Sequence, residues 1–232
     1  MKAFLLAAGY GTRLRPMTDR VPKCLIPVRG RPLMAWWLDL FRMHGVSEVL
    51  VNTHHLPEQV RDFIQEHNSG SSGVCVTEFF EPDLLGSGGT VAANRAFIGT
   101  DESFLICYAD NLTNIDLSAL MRFHGAHGGV LSMALFRTQT PKQCGIAELD
   151  EAGRITGFVE KPSFPTGNLA NAGIYAADRS LFDDLPDSGF ADFGKDVLPR
   201  LAGRMYGWET SDYLMDIGTP ENYRKAQEEW PG

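Results

Sequence analysis

Cysteine is scarce in this chain: 232 residues carry four, Cys24, Cys75, Cys107 and Cys144, and none forms a C-x-x-C pair. That spacing excludes a disulfide framework and a cysteine-held metal, and it suits a reduced, cytoplasmic protein. Cys75 and Cys107 sit inside apolar runs, where a free thiol packs as a small hydrophobe. Long hydrophobic runs are missing too. The apolar start Met1-Lys2-Ala3-Phe4-Leu5-Leu6-Ala7-Ala8 is short and Arg13 and Arg15 follow closely, so it reads as a buried first strand, not a signal peptide, and no stretch is long enough to span a membrane. Positive charge is in deficit. Lys and Arg number 21 against 29 Asp and Glu, a net charge of -8, which argues against a nucleic-acid partner. A small anionic substrate stays compatible with that balance, because a few placed cations can make a local positive pocket. There are no repeats and no low-complexity tract, and the loop Asn68–Gly73 is too short to divide domains.

What is present is ordinary for a globular chain: 44% hydrophobic and 22% charged residues, enough to bury a core as one α/β domain or two small ones. The first half alternates strand and helix patterns. Strands are expected over Ala3–Ala8, Glu48–Thr53, Val74–Phe79 and Ser103–Ala109. Helices are expected over Pro32–His44, closed by Gly45, over Pro57–His67, and over Ser87–Phe97 after a glycine-rich turn. Such alternation implies βαβ units and a mostly parallel mixed sheet with helices on both faces, with ligands beyond the carboxyl ends of the strands. The second half reads as strands over Val130–Arg137, Gly145–Asp150, Ile155–Glu160 and Ala172–Ala177, a helix over Asp192–Leu201, and a last helix opened by Thr219-Pro220-Glu221.

Two segments carry chemistry. Leu6-Ala7-Ala8-Gly9-Tyr10-Gly11-Thr12-Arg13-Leu14 runs from a buried strand into a turn with two glycines, which let a phosphate approach backbone N–H groups; Thr12 can add a hydroxyl and Arg13 a bidentate clamp. It is neither common phosphate motif: Leu14 stands where G-x-G-x-x-G needs its third glycine, and the Gly-Lys-Ser/Thr of a P-loop is missing. Val21-Pro22-Lys23-Cys24-Leu25-Ile26-Pro27-Val28 holds one lysine between two prolines, and a lysine on a stiff loop loses less entropy on meeting an anion. The bland alternatives are an ordinary strand-to-helix turn and a solvated surface lysine.

Together these segments resemble the signature of the nucleotide-diphospho-sugar pyrophosphorylases, the sugar-1-phosphate nucleotidyltransferases: L-x-x-G-x-G-T-R-L-x-P-x-T followed by P-K-x-x-x-P. Later landmarks extend the resemblance over nearly the whole chain: Glu81 to Thr90 resembles the base-reading loop, Tyr108-Ala109-Asp110-Asn111 the metal-binding segment, Glu160-Lys161-Pro162 its E-K-P, Asn171-Ala172-Gly173-Ile174-Tyr175 its N-x-G-x-Y, and Asp216-Ile217-Gly218-Thr219-Pro220 its D-x-G-T-P. The resemblance implies a Rossmann-like, GT-A-like fold in a single domain over 1–232, with a nucleotide-binding half at 1–115 and a sugar-phosphate half at 116–232. It implies transfer of a nucleotidyl group to a sugar 1-phosphate with release of pyrophosphate, using Mg²⁺ held by Asp110 and Asp216. Arg13 would hold the triphosphate and Lys23 the α-phosphate. Leu6, Ala7, Ala8, Gly9, Gly11, Thr12, Glu81 and Gly86 would complete the nucleotide site, and Gly145, Glu160, Lys161 and Asn171 would take the sugar phosphate. The implied partners are the two small substrates, with no nucleic acid and no membrane, and a homo-oligomer is compatible with the sequence.

The stretch around Gly86 and the D-I-G-T-P-E-N-Y ending look most like guanylyltransferases for mannose 1-phosphate or a heptose 1-phosphate; uridylyl and thymidylyl relatives share most of the same residues. Other readings are a non-catalytic nucleotide-sugar-binding regulator, against which Arg13, Lys23 and Asp110 stand intact, and a cytidylyltransferase for choline phosphate or similar alcohols, against which Glu160, Lys161 and Asn171 stand. Ala109 departs from the usual glycine and would be strained if its φ had to be positive. The chain is expected to lack the β-helix or acyltransferase extension of some relatives. Asp110 and Asp216 could instead be helix caps, and Glu160-Lys161 a solvated pair. Backbone amides at Gly86–Gly89 could bond a base edge or a sugar hydroxyl. His124 and His127 read as exposed, His54-His55 as a strand-end loop, and Trp36 and Trp37 as core and interface residues.

Overall fold

The computed structural model describes residues 1–70 and 73–232; Ser71 and Ser72, in the loop expected over Asn68–Gly73, lie outside the described residues. In chain order the strands are β1 (Lys2–Leu6), β2 (Pro27–Val28), β3 (Arg31–Pro32), β4 (Glu48–Thr53), β5 (Cys75–Phe80), β6 (Ser103–Tyr108), β7 (Asn111–Thr113), β8 (Leu131–Arg137), β9 (Gly145–Leu149), β10 (Ile155–Glu160), β11 (Leu169–Asp178), β12 (Met205–Glu209) and β13 (Leu214–Asp216). The helices are α1 (Leu33–Met43), α2 (Pro57–Ser69), α3 (Gly86–Ala93), α4 (Arg95–Ile98), α5 (Leu117–His127) and α6 (Pro220–Glu229). Strands run both parallel and antiparallel and are flanked by helices, as the α/β reading requires.

The chain divides into two compact units, Met1–Leu84 with Cys107–Ile115 and Asp212–Gly232, and Leu85–Ile106 with Asp116–Ser211. Relative to the halves expected from the sequence, residues 85–106 group with the second unit and residues 212–232 with the first.

In the first unit β1, β4 and β5 pair in parallel, Phe4 opposite Leu50 and Leu50 opposite Thr77. Phe4, Leu5, Val49 and Val51 are fully buried, which is why these strands read as nearly unbroken apolar runs. α1 buries Leu33, Met34, Trp37, Leu38, Leu40 and Phe41 on its inner side, and Gly45, at φ 74, ends it. Trp37 Nε1 donates to the Asn111 carbonyl at 2.7 Å, and Trp36 Nε1 to the Val28 carbonyl at 3.1 Å with its ring edge-on to Trp230, so both tryptophans pack within the chain. The antiparallel pair β7–β13 sets Asp216 opposite Asn111, and Ile217 N donates to the Asp110 carbonyl at 3.0 Å. That pairing carries the C-terminal segment to the turn after β6. α6 opens as its sequence dictates, with Thr219 Oγ1 capping Asn222 N at 3.2 Å and Pro220 in the first turn.

In the second unit β9 and β10 form an antiparallel pair, β11 pairs antiparallel with β8, and β12 runs parallel to β8. α5, capped by Asp116 and ended by Gly128 at φ 62, packs on β8 and β11. Neither α5 nor β12 is marked by a clear periodicity in the sequence. The helix expected over Ser87–Phe97 is two, broken at Asn94, whose side-chain amide donates back to the Thr90 carbonyl at 2.8 Å. The helix expected over Asp192–Leu201 is a pair of short helical turns, Phe193–Val197 and Leu198–Leu201, with Asp192 capping Lys195 N.

Two expectations are corrected by burial. Cys75 opens β5 and is exposed, whereas Cys24 and Cys107 are buried; burial pushes the Cys24 thiol up to about 12 and Cys107 higher, so neither is reactive. His124 is buried, its Nδ1 3.0 Å from Ser132 Oγ, because α5 turns that face inward; burial holds its pKa down, partly offset by Asp178.

The amides of Gly88 and Gly89 donate to the Ala191 carbonyl at 2.8 and 3.1 Å, and Ser87 Oγ accepts from Phe193 N at 2.8 Å. The two glycine amides therefore dock α3 on the segment before residue 193, and the suggestion that they bond a base or sugar is corrected. Gly86 has φ 72, and a Cβ there would lie 2.5 Å from the Ala191 carbonyl oxygen. Gly86→Ala is expected to cost about 2 kcal/mol in urea unfolding; wild-type stability in that variant would contradict the docking role.

Candidate functional site

The Gly9–Arg13 loop follows β1, and its glycines serve different ends. Gly11 has φ 63, and a Cβ there would stand 2.7 Å from Thr18 Cγ2 and 3.3 Å from Lys23 Cβ, so the fold itself requires glycine. A Cβ at Gly9 would meet no atom within 4 Å and its φ is not positive. Nothing in the fold demands glycine there. Upstream, Ala7 N donates to Asn52 Oδ1 at 2.6 Å, and Asn52 Nδ2 donates to Glu81 Oε1 at 2.9 Å. Leu6 ends β1, Ala8 is buried, and Glu81 is 1% exposed. Glu81 thus supports the loop from beneath through Asn52; in this arrangement it does not present its carboxylate to solvent.

The sharpest geometry is a four-charge cluster, all of it in the first unit. Lys23 Nζ lies 2.7 Å from Asp110 Oδ2 and 3.3 Å from Asp216 Oδ1, and Arg13 Nη2 lies 3.5 Å from Asp216 Oδ2. The Lys23 side chain is 10% exposed, while Arg13 is 62% exposed and faces outward. Lys23 reaches the cluster because the turn Lys23–Leu25, entered from the extended Pro22, lies against Gly11. Burial opposes charge on both members of the Lys23–Asp110 pair. Their mutual attraction and hydrogen bond, with Asp216 and Arg13 adding, outweigh it: the lysine is held above 10.5 and the Asp110 carboxyl below 3.8. Asp216 also accepts from Gly218 N at 2.7 Å, and a Cβ at Gly218 would sit 2.7 Å from Arg13 Nη2, Asp216 Oδ1 and Lys23 Nζ alike. Gly218 therefore keeps open the space where the charges meet, a duty the sequence signals only as the glycine of D-x-G-T-P.

The helix-cap alternatives for the two aspartates fall away, since Thr219 caps α6 and Asp110 precedes strand β7. Ala109 is 1% exposed without positive φ, and its N donates to the Leu6 carbonyl at 3.0 Å, so alanine fits there unstrained. Two carboxylate oxygens converging on one positive charge form a donor pair suited to a hard divalent cation. Among the described residues no group of three or more His, Cys, Asp or Glu gathers.

In the second unit Gly145 and Glu160 are paired across β9 and β10. A Cβ at Gly145 would lie 2.6 Å from Glu160 Oε2, and one at Gly194 would lie 3.1 Å from the same oxygen, so two glycines make room for this carboxylate. Gly194 carries no motif signal in the sequence. Lys161 has φ 49, its N donates to the Cys144 carbonyl at 3.1 Å, and its Nζ is 3.6 Å from Glu160 Oε1. Asn171 lies on β11 beside Ala170, which pairs with Ile146. Its Nδ2 donates to Tyr175 Oη at 2.6 Å and its Oδ1 accepts from Gly173 N at 2.8 Å, leaving one amide hydrogen and one lone pair for a ligand.

The family model described as nucleotidyl transferase matches residues 2–231. The chain belongs to this family. Among curated relatives, Mannose-1-phosphate guanylyltransferase 1 of Arabidopsis thaliana is 31% identical over 96% of this chain and 63% of its own length. The Mannose-1-phosphate guanylyltransferase of Mycobacterium tuberculosis is 30% identical over 95% and 62%. A UTP–glucose-1-phosphate uridylyltransferase of Synechocystis is 30% identical over 97% and 62%. The chain thus spans less than two thirds of the length of these family members. Two solved structures share the fold: HddC from Yersinia pseudotuberculosis complexed with GMP-PN, with TM-score 0.80 and 23% identity over 99% of both chains, and UDP-glucose pyrophosphorylase complexed with UDP-glucose, with TM-score 0.82 and 22% identity over 98% and 97%.

The charge cluster makes stability depend on pH with a fixed sign. Asp110 is more acidic folded than its ordinary 3.8, so its contribution is complete above that value and is lost as pH falls through the folded value. Lys23, raised above 10.5, contributes below that value and loses its contribution as pH rises through its folded value. In urea unfolding between pH 7 and pH 3, the gap between wild type and Asp110→Asn is expected to close toward the acid end. A gap independent of pH would contradict the Lys23–Asp110 coupling.

Proposed function

We propose that this chain transfers a nucleotidyl group from a nucleoside triphosphate to a sugar 1-phosphate, giving a nucleoside diphosphate sugar and pyrophosphate. The observation that carries the reading is the convergence of Arg13 and Lys23 on Asp110 and Asp216 next to the Gly9–Arg13 loop. Both substrates are anions, so the chemistry calls for positioning and charge neutralisation. An oxygen of the sugar 1-phosphate attacks the α-phosphorus, and the bond to the bridging oxygen of pyrophosphate breaks. Gly9, Gly11 and Thr12 take phosphate oxygens, with Leu6, Ala7, Ala8, Glu81 and Gly86 framing the nucleotide. Arg13, exposed and in only a 3.5 Å contact with Asp216, holds the departing pyrophosphate. Lys23 moves from the carboxylates to the α-phosphate as charge develops. Gly145, Glu160, Lys161 and Asn171 hold the sugar 1-phosphate, the first by leaving space, the others by charge and hydrogen bonds. Asp110 and Asp216 would hold Mg²⁺, which when bound supplies neutralisation of the phosphate charge.

Within this reading GTP and a mannose or heptose 1-phosphate are the favoured pair, supported by the guanylyltransferase relatives and the Gly86 and D-I-G-T-P-E-N-Y stretches. A uridylyl or thymidylyl transfer is the second reading, favoured by the uridylyltransferase relative at 30% identity. We assign residues 1–115 chiefly to nucleotide and 116–232 to sugar phosphate, and place the reaction in the cytoplasm. Among the described residues no helix is long and apolar enough to cross a membrane.

Pyrophosphate release with Mg²⁺, each of GTP, UTP, dTTP, CTP and ATP, and a panel of sugar 1-phosphates tests the proposal; activity is expected to be highest with GTP and to vanish on chelation. Silence with every pair would sink it. Asp110→Asn is expected to abolish turnover while the fold survives in circular dichroism, and full activity in that variant would refute the metal assignment.

A further inference from the structure

Tyr10, His54 and His55 have no part in the chemistry above, yet they hold the phosphate loop from two sides. β4 ends at Thr53, and the chain turns through His54 and His55 into Leu56, whose φ is 51. A left-handed leucine is unfavourable on its own and persists only when its surroundings fix it. The two residues that precede it each belong to a hydrogen-bonded arm.

In the first arm, His54 Nδ1 lies 2.7 Å from the Glu81 carbonyl oxygen and Nε2 lies 2.7 Å from Tyr10 Oη. A carbonyl can only accept, so Nδ1 carries the proton, and in the neutral ring Nε2 is then an acceptor to which the Tyr10 hydroxyl donates. In the second arm, His55 Nε2 donates to the Thr18 carbonyl at 2.7 Å, and Thr18 Oγ1 donates to the Gly11 carbonyl at 2.9 Å. The Tyr10 ring meets His54 edge-on at 5.1 Å between centroids and lies 5.7 Å from His55. Tyr10 is 45% exposed, so this bond is not one of the core contacts on which folding depends.

We propose that Tyr10 and His54 are positioning residues for the nucleotide: their hydrogen bond fixes Gly9–Thr12 with its backbone amides set for a triphosphate before the nucleotide arrives. A loop already held in its binding form loses less entropy on binding, and that saving appears as nucleotide affinity. The proposal rests on the reading that this loop receives the triphosphate.

Titration calorimetry of Mg²⁺·GTP and Mg²⁺·UTP into wild type, Tyr10→Phe, His54→Ala, their double variant and His54→Gln tests it, with KM values from pyrophosphate release alongside. Tyr10→Phe keeps the ring and removes only the hydroxyl. It and His54→Ala are each expected to weaken nucleotide binding about five- to tenfold. The double variant is expected to be no worse than the weaker single. His54→Gln, whose amide oxygen can accept the same hydrogen, is expected to restore most of the affinity. The KM for sugar 1-phosphate and the thermal midpoint of Tyr10→Phe should stay near wild type. Unchanged affinity in Tyr10→Phe and His54→Ala would overturn the proposal, as would additive losses. So would a loss in Tyr10→Ala, titrated alongside, with none in Tyr10→Phe, which would make the ring a direct stacking surface. Wild type that binds nucleotide but releases no pyrophosphate would sink the transfer reading and leave this proposal to the binding comparison. Pyrophosphate release with an unaltered Tyr10→Phe affinity would sink this proposal alone.

Discussion

The bridge from Asp110 through Lys23 to Asp216 is the constraint around which the first unit is arranged. It joins residues separated in sequence by 87 and 193 positions, through contacts of 2.7 and 3.3 Å. Two carboxylates held this close repel each other unless a cation lies between them. Lys23 provides that cation at the cost of burying its own ammonium, an arrangement stable only while both partners stay ionised. The β7–β13 pairing brings the chain's last segment to the turn after β6, the Pro22 turn delivers Lys23, and Gly218 leaves the space in which they meet.

Glycine does different physical work at each place where backbone and charge crowd together. At Gly11 it permits φ 63 against Thr18, at Gly86 it admits the Ala191 carbonyl, and at Gly145 and Gly194 it makes room for the Glu160 carboxylate. Gly9 differs in that no neighbour within the fold requires it. That contrast separates glycines the chain needs in order to fold from one that the fold does not require.

The parts of this molecule legible in the sequence are those governed by local pattern. The apolar runs of β1, β4 and β6, the amphipathic α1 closed by Gly45, and the Thr219-Pro220-Glu221 start of α6 follow from periodicity and capping, and the acidic and basic residues of the cluster follow from motif resemblance. What stayed hidden depends on distant hydrogen bonds. Asn94 breaks the helix after Ala93, and its capacity to fold back on Thr90 leaves no trace in an apolar pattern. The amides of Gly88 and Gly89 looked free for a ligand because nothing in the sequence reveals that Ala191 lies against them. His54-His55 is the strand-end loop expected, but its partners, Tyr10, Thr18 and Glu81, arrive from other segments. α5 was missed for the opposite reason: Asp116 and Gly128 mark its ends, but Gly125 and two histidines blur its apolar face.

The most direct test of the charge cluster as a cation site is a Mn²⁺ titration of the nucleotide-free protein followed by electron paramagnetic resonance, comparing wild type with Asp216→Asn. One bound Mn²⁺ per chain in wild type, weakened at least tenfold by the substitution while the folded signature in circular dichroism is retained, is the expected result. Equal Mn²⁺ binding by the two proteins would contradict a cation site at Asp110 and Asp216.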